Sequence, residues 1–502
     1  MTATSASSPT WRPLLSVGLT ADPRSEWMWR HVQTVLGLEV DGPVAVCWGQ
    51  EPSPAGVLAA VRVPRDRSFL AVPSRLVAAL EALRQVGVTP GRTGSGGWEV
   101  GDLEMRDLEV ALPVDVFAWV DWLVSRAEEY DPHTPDDLGN FPREESLLSR
   151  AGLSEQPAAD LLVGALRQAV QSAAGSAGIA VRRTAPWPSG KRFAVCLSHD
   201  IDYAVRQSTT GALRKLAGAA LAMSQRDRRT AGRRANDALG LLRGNAASPY
   251  WLMDPMAARE AERGYRSTFF VLPHTKRVIS EGPDMVTRYD VGHPDVQQLL
   301  GRLSAGGWEL GLHTSYDAHD DGNGVGHDWS QLRAALPAGV KAAGARSHYL
   351  RLRMPDTLRQ EEEAGIPYDA TMGWRTGWGF RSGSAMPYQP FDMTTGRVLG
   401  IWELDLHLMD VSVPLDDYVS LLGVLLDRVR DVGGCASVLM HPSPCSNRTA
   451  KEHLELYDRV LDQIATYEDA WVTTPSAVVG RMTDYARALT GAGSVRDEMS
   501  AT

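Results

Sequence analysis

The chain has 502 residues and a formal net charge of −10 at pH 7, and 43% of its residues are hydrophobic. This composition is ordinary for a globular protein with a sizeable core, and the acidic balance argues against bulk binding of nucleic acid. Its four cysteines form neither a CxxC motif nor a disulfide framework. No apolar run is long enough to span a membrane and the first residues show no secretory signal, so we expect a cytoplasmic protein.

Residues 1–185 are predicted to form a smaller, mixed α/β domain, for which the sequence indicates no role. The runs "GPVAVCWG" and "FLAVPSRL" are typical of short strands. The run "DVFAWVDWLVSRAEEY" (115–130) begins with Asp and has apolar residues at helical spacing, which predicts a helix, and similar periodicity recurs around residues 158–170. The Pro/Gly-rich stretch "TAPWPSGK" (184–191) marks the predicted domain boundary.

Strands and helices are predicted to alternate over residues 186–490. "RFAVCLS", "STFFVLP", "WELGLHTS" and "KAAGARSHY" are strand-like, as are later runs such as "VLGIWELDLHLM" and "CASVLMH". Helical runs such as "PDVQQLLGRLSAGG" lie between them. This alternation predicts a parallel sheet, and the number of units favours a (β/α) barrel over an open sheet. Active sites of such barrels lie at the carboxyl ends of the strands, so polar residues at strand ends are the first candidates.

One segment interrupts the alternation. Residues 204–245 hold nine Lys or Arg and two Asp, with "RDRRTAGRR" at the centre. Two interpretations stay open. The commoner one is a solvated helical excursion, and the other is contact with an anionic surface, either lipid headgroups or an acidic polymer.

Four predicted strands end in residues that can carry chemistry. "FAVCLSHDID" ends in Asp200 and Asp202, which share strand parity and can point into one pocket. His313 ends "ELGLH", Arg346 begins "RSHYLR", and His441 ends "SVLMH". Each can be explained on its own without any function, as an Asp-rich turn, a structural histidine or a charged loop. Together they favour one shared site over four independent accidents.

The order of these motifs resembles the polysaccharide deacetylase superfamily, also called NodB-homology or carbohydrate esterase family 4. The resemblance covers about residues 190–480. It implies a distorted, incomplete (β/α) barrel that removes acetyl groups from N-acetylated sugars. "SHDID" is similar to the first motif, which implies Asp200 as the catalytic base and Asp202 as a metal ligand. "HTSYD" is similar to the second motif, His-Ser/Thr-x-x-His, which implies His313 as a ligand but has Asp317 where a second His belongs.

Arg346 and Tyr349 match the third motif, Arg-x-x-Tyr, and the resemblance implies that Arg346 orients the base. Leu439 and His441 match the last motif, Leu-x-His, which implies His441 as the catalytic acid. The stretch "DVFAWVDWLVSRAEEY…GNFPREESL" resembles the leader of an uncharacterised bacterial subgroup with a His-Asp-x-Asp first motif, so the departure at position 317 resembles a subgroup trait. The predicted substrate-binding residues are Tyr349, His407 and Trp374.

The third metal ligand stays open. Asp317 is the first candidate, because zinc accepts carboxylate oxygen as well as imidazole nitrogen. His407 is the second, since Glu403, Asp405 and His407 alternate with leucines in "WELDLHLM". A barrel strand would turn that polar row to the lumen, where it must be paired or ligating. Water, or no metal at all, is the remaining alternative. The expected cofactor is a divalent ion, Zn, Mn or Mg, and a carboxylate-rich set favours the harder ions.

The predicted function is a metal-dependent hydrolase that removes acetyl groups from an N- or O-acetylated glycan or sugar precursor, acting on a non-peptide carbon–nitrogen bond. One alternative is a non-catalytic carbohydrate-binding barrel that has lost its metal, which the intact set Asp200, Arg346 and His441 disfavours. Another is a glycosidase with paired carboxylates, which leaves His313 and His441 unexplained. A cytoplasmic enzyme cannot reach finished cell-wall polymer, so a nucleotide- or lipid-linked sugar is the expected substrate. A peripheral contact with an anionic membrane is the expected additional partner.

Overall fold

The structure is a computed structural model. It describes residues 12–17, 22–49, 57–66, 69, 71–85, 105–106, 109–204, 209–243, 251–273, 289–320, 322–444 and 448–490. Within these residues the chain builds two main sheets surrounded by helices, one from the first part of the chain and a larger one from the rest.

The first part of the chain forms a five-stranded, mostly parallel sheet. Its strands follow the order β1-β3-β4-β6-β5, antiparallel only between β5 and β6, while β2 and β7 pair separately. The strands are β1 (Leu15–Val17), β2 (Leu38–Val40), β3 (Val44–Trp48), β4 (Ala59–Val63), β5 (Met105–Arg106), β6 (Glu109–Ala111) and β7 (Val181–Arg183). The helices are α1 (Pro23–Leu36), α2 (Pro73–Gln85), α3 (Val116–Val124), α4 (Leu147–Arg150) and α5 (Ala158–Ser176).

Local chemistry explains where these elements agree with the sequence prediction and where they differ. The runs predicted as a strand at "GPVAVCWG" and as a helix around 158–170 are β3 and α5. The described residues of "FLAVPSRL" (69 and 71–76) contain no strand, because Pro73 suits the first position of a helix and α2 begins there. The helix predicted over 115–130 is capped by Asp115 as expected but ends at Val124, where Arg126 takes a left-handed conformation (φ 54°).

The rest of the chain supplies the larger sheet and its helices. The strands are β8 (Phe193–Ile201), β9 (Thr268–Val271), β10 (Glu309–Thr314), β11 (Ala345–Ser347), β12 (Tyr368–Asp369), β13 (Phe391–Asp392), β14 (Arg397–Val398), β15 (Trp402–Glu403), β16 (Leu408–Met409), β17 (Cys435–Leu439) and β18 (Ala470–Thr473). The helices are α6 (Thr209–Ser224), α7 (Arg228–Arg243), α8 (Met253–Glu262), α9 (Pro294–Ala305), α10 (Gly324–Ala335), α11 (Asp356–Glu363), α12 (Tyr418–Val432), α13 (Ala450–Ala465) and α14 (Pro475–Thr490).

The larger sheet is curled and parallel in every pair, with the order β15-β12-β11-β10-β9-β8-β17-β16. Strands β13 and β14 are not part of it and form a separate antiparallel pair. Strand β18 pairs with the first half of β8, and β9 pairs with its second half. The run predicted as one strand at "WELDLHLM" is instead two short strands joined by irregular chain that bridges the two ends of the sheet. Leu404 N donates to Asp369 O at 3.0 Å, and His407 N donates to Ser437 O at 3.0 Å. The result is an incomplete barrel with helices outside.

The core runs without a break between the two parts of the chain. One cluster of buried residues includes Leu166 of α5, Ala194 of β8 and Tyr388, which lies between β12 and β13. All nine residues of β8 are buried, as expected for a central strand covered on both faces. The boundary at residue 185 therefore stays a prediction. Among the described helices, none has the length and apolar character needed to cross a membrane.

Candidate functional site

Three side chains at the carboxyl ends of neighbouring strands converge on one point. Nε2 of His313, at the end of β10, lies 3.4 Å from Oδ1 of Asp202, just after β8. Nε2 of His348, just after β11, lies 3.7 Å from the same oxygen. The ligand atoms of the three residues lie within 4.8 Å of one another. One carboxylate and two imidazoles at this spacing are a donor set that a divalent ion accepts.

The ring orientation of His313 is set by its neighbour in the sheet. Nδ1 of His313 lies 2.9 Å from the carbonyl oxygen of Arg346. A carbonyl can only accept, so Nδ1 carries a proton, and Nε2, which faces Asp202, is the nitrogen through which His313 would bind a metal ion. A hydrogen bond of this kind on the distal nitrogen is the usual way a protein orients a metal-binding imidazole.

His348 reaches the site through an unusual turn. Tyr349 and Leu350 follow it with φ angles of 57° and 53°, a left-handed conformation that non-glycine residues rarely adopt. The buried side chain of Asn140 braces this turn from the N-terminal part of the chain. Its Nδ2 donates to Tyr349 O at 3.2 Å, and its Oδ1 accepts from Leu352 N at 3.2 Å. Asn140 therefore helps to hold His348 in place.

Asp202 has the properties of a ligand carboxylate. Its Oδ1 is buried and receives no well-aligned hydrogen bond among the described residues. Burial alone would raise the pKa of Asp202, but His313, His441 and His348 hold it well below its usual range. The carboxyl group is therefore ionised, and a positive partner at the buried Oδ1 would offset the cost of burying its charge. These residues fit a divalent cation.

Asp200 lies beside this group and is held by an arginine. Nη1 of Arg346 donates to Oδ1 of Asp200 at 3.1 Å and to Oγ of Ser198 at 2.7 Å. Nε of Arg346 donates to Ala370 O at 2.8 Å, which fixes the guanidinium. Oδ2 of Asp200 lies 4.0 Å from Nε2 of His313. The family resemblance implied a contact between these two residues, with Arg346 orienting Asp200.

His441 also lies beside the group, and a carboxylate, Asp410, contacts its other ring nitrogen. Its Nδ1 lies 2.6 Å from Oδ1 of Asp410, and its backbone N–H donates to the other Asp410 oxygen at 2.9 Å. Its Nε2 faces Oδ2 of Asp202 at 3.8 Å. Burial would raise the pKa of Asp410, but contact with His441 keeps it below its usual range. An ionised Asp410 stabilises the protonated form of His441.

Four residues that were predicted as the third metal ligand or as substrate-binding residues lie outside the metal-ligand group. Asp317, the first candidate for the third ligand, is an exposed turn residue, and the group contains His348 instead. His407 is a buried core histidine against Phe380, and burial lowers its pKa to about 4. Trp374 is buried near the guanidinium groups of two arginines, Arg126 and Arg381. Tyr349 is adjacent to the group, since its ring lies 4.2 Å from that of His348.

Sequence reasoning missed His348, Asp410 and Asn140. A signal for His348 was present, because it follows Arg346 by two residues and so shares its strand parity, the same relationship as Asp200 and Asp202. Asp410 gave a weaker signal, since it breaks the alternation of Glu403, Asp405 and His407. Asn140 is far from the site in sequence and gave none.

His199, which lies between Ser198 and Asp200, faces the other side of the strand. Its Nδ1 lies 2.7 Å from Met440 O and its Nε2 lies 2.8 Å from Oε1 of Glu260. The other oxygen of Glu260 accepts from Trp308 Nε1 at 2.7 Å. This buried network connects the end of β8 to α8 and to the residue before His441. His199 therefore stabilises the packing around the site and does not face into it.

Comparison with known proteins finds a family model that matches part of the chain and several solved structures with similar folds. A family of unknown function, DUF7033, matches residues 82–174, a stretch that includes Asn140. No curated protein matches the chain. A protein provisionally described as a polysaccharide deacetylase, from Mycobacterium smegmatis, is 18% identical over 60% of this chain and 93% of its own, with a TM-score of 0.40.

Two further solved structures are similar at the same level. The Puue allantoinase is 14% identical over 59% of this chain and 92% of its own, with a TM-score of 0.38. A family 4 carbohydrate esterase from Streptomyces lividans is 12% identical over 56% of this chain and 92% of its own, with a TM-score of 0.27. At these values the likenesses say nothing about the reaction, and the chemistry has to come from the side chains.

Proposed function

We propose that the chain is a metal-dependent hydrolase of the polysaccharide deacetylase type, which removes acetyl groups from an N- or O-acetylated glycan or sugar precursor. The observation that supports this most is the arrangement around Asp202. A ligand set of one carboxylate and two imidazoles lies beside two further pairs, Asp200 held by Arg346 and His441 held by Asp410. Hydrolysis of an amide needs a base and an acid so disposed.

Asp202, His313 and His348 are the proposed ligands of the ion. A divalent metal there would supply polarisation of the substrate carbonyl and a water of lowered pKa. Asp200 accepts the proton of the attacking water, and the hydrogen bond from Arg346 holds Asp200 in position for this transfer. His441 then gives its Nε2 proton to the leaving amine, so the sugar departs with a free amino group and the acetyl group departs as acetate. Asp410 stabilises the imidazolium form of His441 before this transfer.

The proposed partner is an acetylated sugar. The acidic net charge of the chain argues against nucleic acid as a partner. The proposed location is the cytoplasm, where a nucleotide- or lipid-linked precursor is within reach. The basic segment 204–245 supports a peripheral contact with an anionic membrane as part of this proposal. A sugar-binding barrel without catalysis would have no need for the pairs Arg346–Asp200 and Asp410–His441.

The test is elemental analysis of purified protein, together with acetate release from N-acetylated oligosaccharides and from nucleotide-linked N-acetyl sugars. We expect about one divalent ion per chain in the parent and its loss in Asp202→Asn, because an amide is a poorer ligand than a carboxylate. Asp317→Asn is the matched control, since this exposed carboxyl lies outside the group. A parent that binds no metal and releases no acetate from any of these substrates would overturn the proposal.

A further inference from the structure

Helix α6 exposes an apolar face to solvent. Its exposed large side chains are Leu213 (65% exposed), Leu216 (43%), Leu221 (56%) and Met223 (54%). At 100° per residue these four, with the exposed Ala217 and Ala220, lie on one side of the helix. A surface helix normally places polar residues there. The outward face of α6 thus has the apolar character that helices normally bury in a protein core.

The opposite face of α6 packs on α7, so the two helices form a hairpin, residues 209–243. Ala212 of α6 meets Ala238 and Leu241 of α7 in a small core of their own. Across the pair, Nζ of Lys215 lies 3.0 Å from Oδ2 of Asp237, and Nη1 of Arg234 donates to Gly218 O at 2.8 Å. The hairpin therefore holds itself together without covering the outward face of α6.

The hairpin is also strongly basic. Residues 209–243 contain eight Lys or Arg and two Asp, a net charge of +6 in a chain whose total is −10. Arg214, Arg228 and Arg243 are exposed, and the side chain of Arg229 is 80% exposed. On α7, Leu239 and Leu242 add exposed apolar side chains, 42% and 49% exposed, beside these cations. Apolar and cationic groups together match the interface of an anionic lipid layer.

The position of the hairpin places it beside the candidate site. It follows β8, whose end carries Asp200 and Asp202, after residues 205–208. Nη2 of Arg229, in the first turn of α7, lies 3.8 Å from Oε1 of Glu452, in the first turn of α13. Helix α13 follows His441 closely in the chain and begins on the same face of the barrel as the strand ends. The hairpin therefore borders the mouth of the site.

We propose that the α6–α7 hairpin docks the protein on an anionic membrane surface, with the apolar face of α6 in the interfacial layer and the arginines on the headgroups. Resting on the proposed function, this assigns the substrate class as an acetylated sugar carried on a membrane lipid. A second copy of the chain is a poorer occupant of the same face, because it would bring two hairpins of charge +6 together.

The experiment is flotation of the full chain with vesicles of phosphatidylcholine alone or mixed with phosphatidylglycerol. We expect binding to the mixed vesicles only, weakened by salt. An apolar variant with Leu213→Gln, Leu216→Gln, Leu221→Gln and Met223→Gln should partition at least about tenfold less, since the buried apolar area is lost. A charge variant with Arg214→Gln, Arg228→Gln, Arg229→Gln and Arg243→Gln should also partition at least about tenfold less and lose most of its salt dependence.

Val424→Gln is the matched control, because this exposed valine (40%) lies on α12 and not on the hairpin. Metal content and acetate release from a soluble substrate should be unchanged in both hairpin variants, which separates a failure of docking from a failure of the enzyme. Parent protein that ignores anionic vesicles, or an apolar variant that binds as the parent does, would overturn the proposal. Sedimentation velocity showing a dimer that the apolar variant abolishes, with no vesicle binding, would assign the face to a second copy instead.

Discussion

Nε2 of His348 lies 3.7 Å from Oδ1 of Asp202. The turn after β11 therefore contributes the third residue of the candidate metal site, beside Asp202 after β8 and His313 at the end of β10. The sequence left this third contribution open, with Asp317 as the first candidate and His407 as the second. The relationship between His348 and Asp202 gives the site two imidazoles and one carboxylate, a set that accommodates zinc more readily than two carboxylates with one imidazole would.

Replacing His348 tests this relationship directly. We expect His348→Ala to bind the metal at least about tenfold more weakly than the parent and to release acetate correspondingly more slowly, because it removes one of three ligands. Titration of the metal-depleted protein with zinc, followed by calorimetry, measures the affinity. Asp317→Asn is the control and should keep the affinity of the parent. Equal affinities in His348→Ala and the parent would exclude His348 as a ligand.

Asn140→Ala should weaken the site from a distance. Its amide holds the turn at Tyr349 and Leu352, so its loss frees the turn that carries His348. Loss of such supporting contacts typically weakens metal binding by about 10–100-fold. The same zinc titration measures this, with Asn236→Ala on the exposed side of α7 as the control. If Asn140→Ala loses thermal stability while its zinc affinity stays unchanged, the brace serves the fold alone.

Asp410→Asn should slow the reaction and leave the metal in place. Without the carboxylate at 2.6 Å from Nδ1, His441 loses the partner that stabilises its protonated form. A general acid contributes about 10²–10⁴-fold, so we expect kcat to fall within that range with little change in zinc affinity. Asp416→Asn, at an almost fully exposed carboxyl (94%), is the control. An unchanged kcat in Asp410→Asn would remove the pair from the mechanism.

The parts of the fold that sequence patterns predicted are those set by local rules. The alternation of strands and helices follows from apolar periodicity, and Asp115 caps α3 because its side chain accepts from Ala118 N at 3.0 Å. Strand parity predicts that Asp200 and Asp202 lie close together, and Nε2 of His313 lies within 4.0 Å of a carboxylate oxygen of each. The ends of other strands bring Arg346 to Asp200 and His441 to Asp202. These are properties of single elements or of parallel strands that end at one face.

The parts that could not be predicted depend on contacts between distant segments. His348 enters the site only because two consecutive residues adopt positive φ angles, and Asn140, 209 positions from Tyr349, supports that turn. The polar row Glu403, Asp405 and His407 was interpreted as the lining of a strand. The chain there is irregular between β15 and β16, so the leucines and the polar residues are all buried. A period of two carries no information once the strand is interrupted.

The contact between the two parts of the chain also makes stability depend on pH. Asp160 of α5 is buried against the segment between β12 and β13, where its oxygens accept from Ala385 N at 2.6 Å and Ser384 Oγ at 2.8 Å. Burial raises the pKa of Asp160 to about 7, although these hydrogen bonds lower it. The folded chain therefore binds a proton here that the unfolded chain has released above about pH 4.

It follows that Asp160 makes the protein less stable as the pH rises from about 4 to about 7, by roughly 1.4 kcal/mol for each unit of pKa difference. Asp160→Asn removes this charge and keeps an oxygen for Ala385 N and a donor for Ser384 Oγ. We expect the free energy of unfolding of Asp160→Asn to fall less than that of the parent between pH 5 and pH 8, measured by urea denaturation at both values. Asp484→Asn, on the exposed surface of α14, controls for the loss of one negative charge. Parallel pH dependences in the parent and Asp160→Asn would show that Asp160 ionises equally in the folded and unfolded chain.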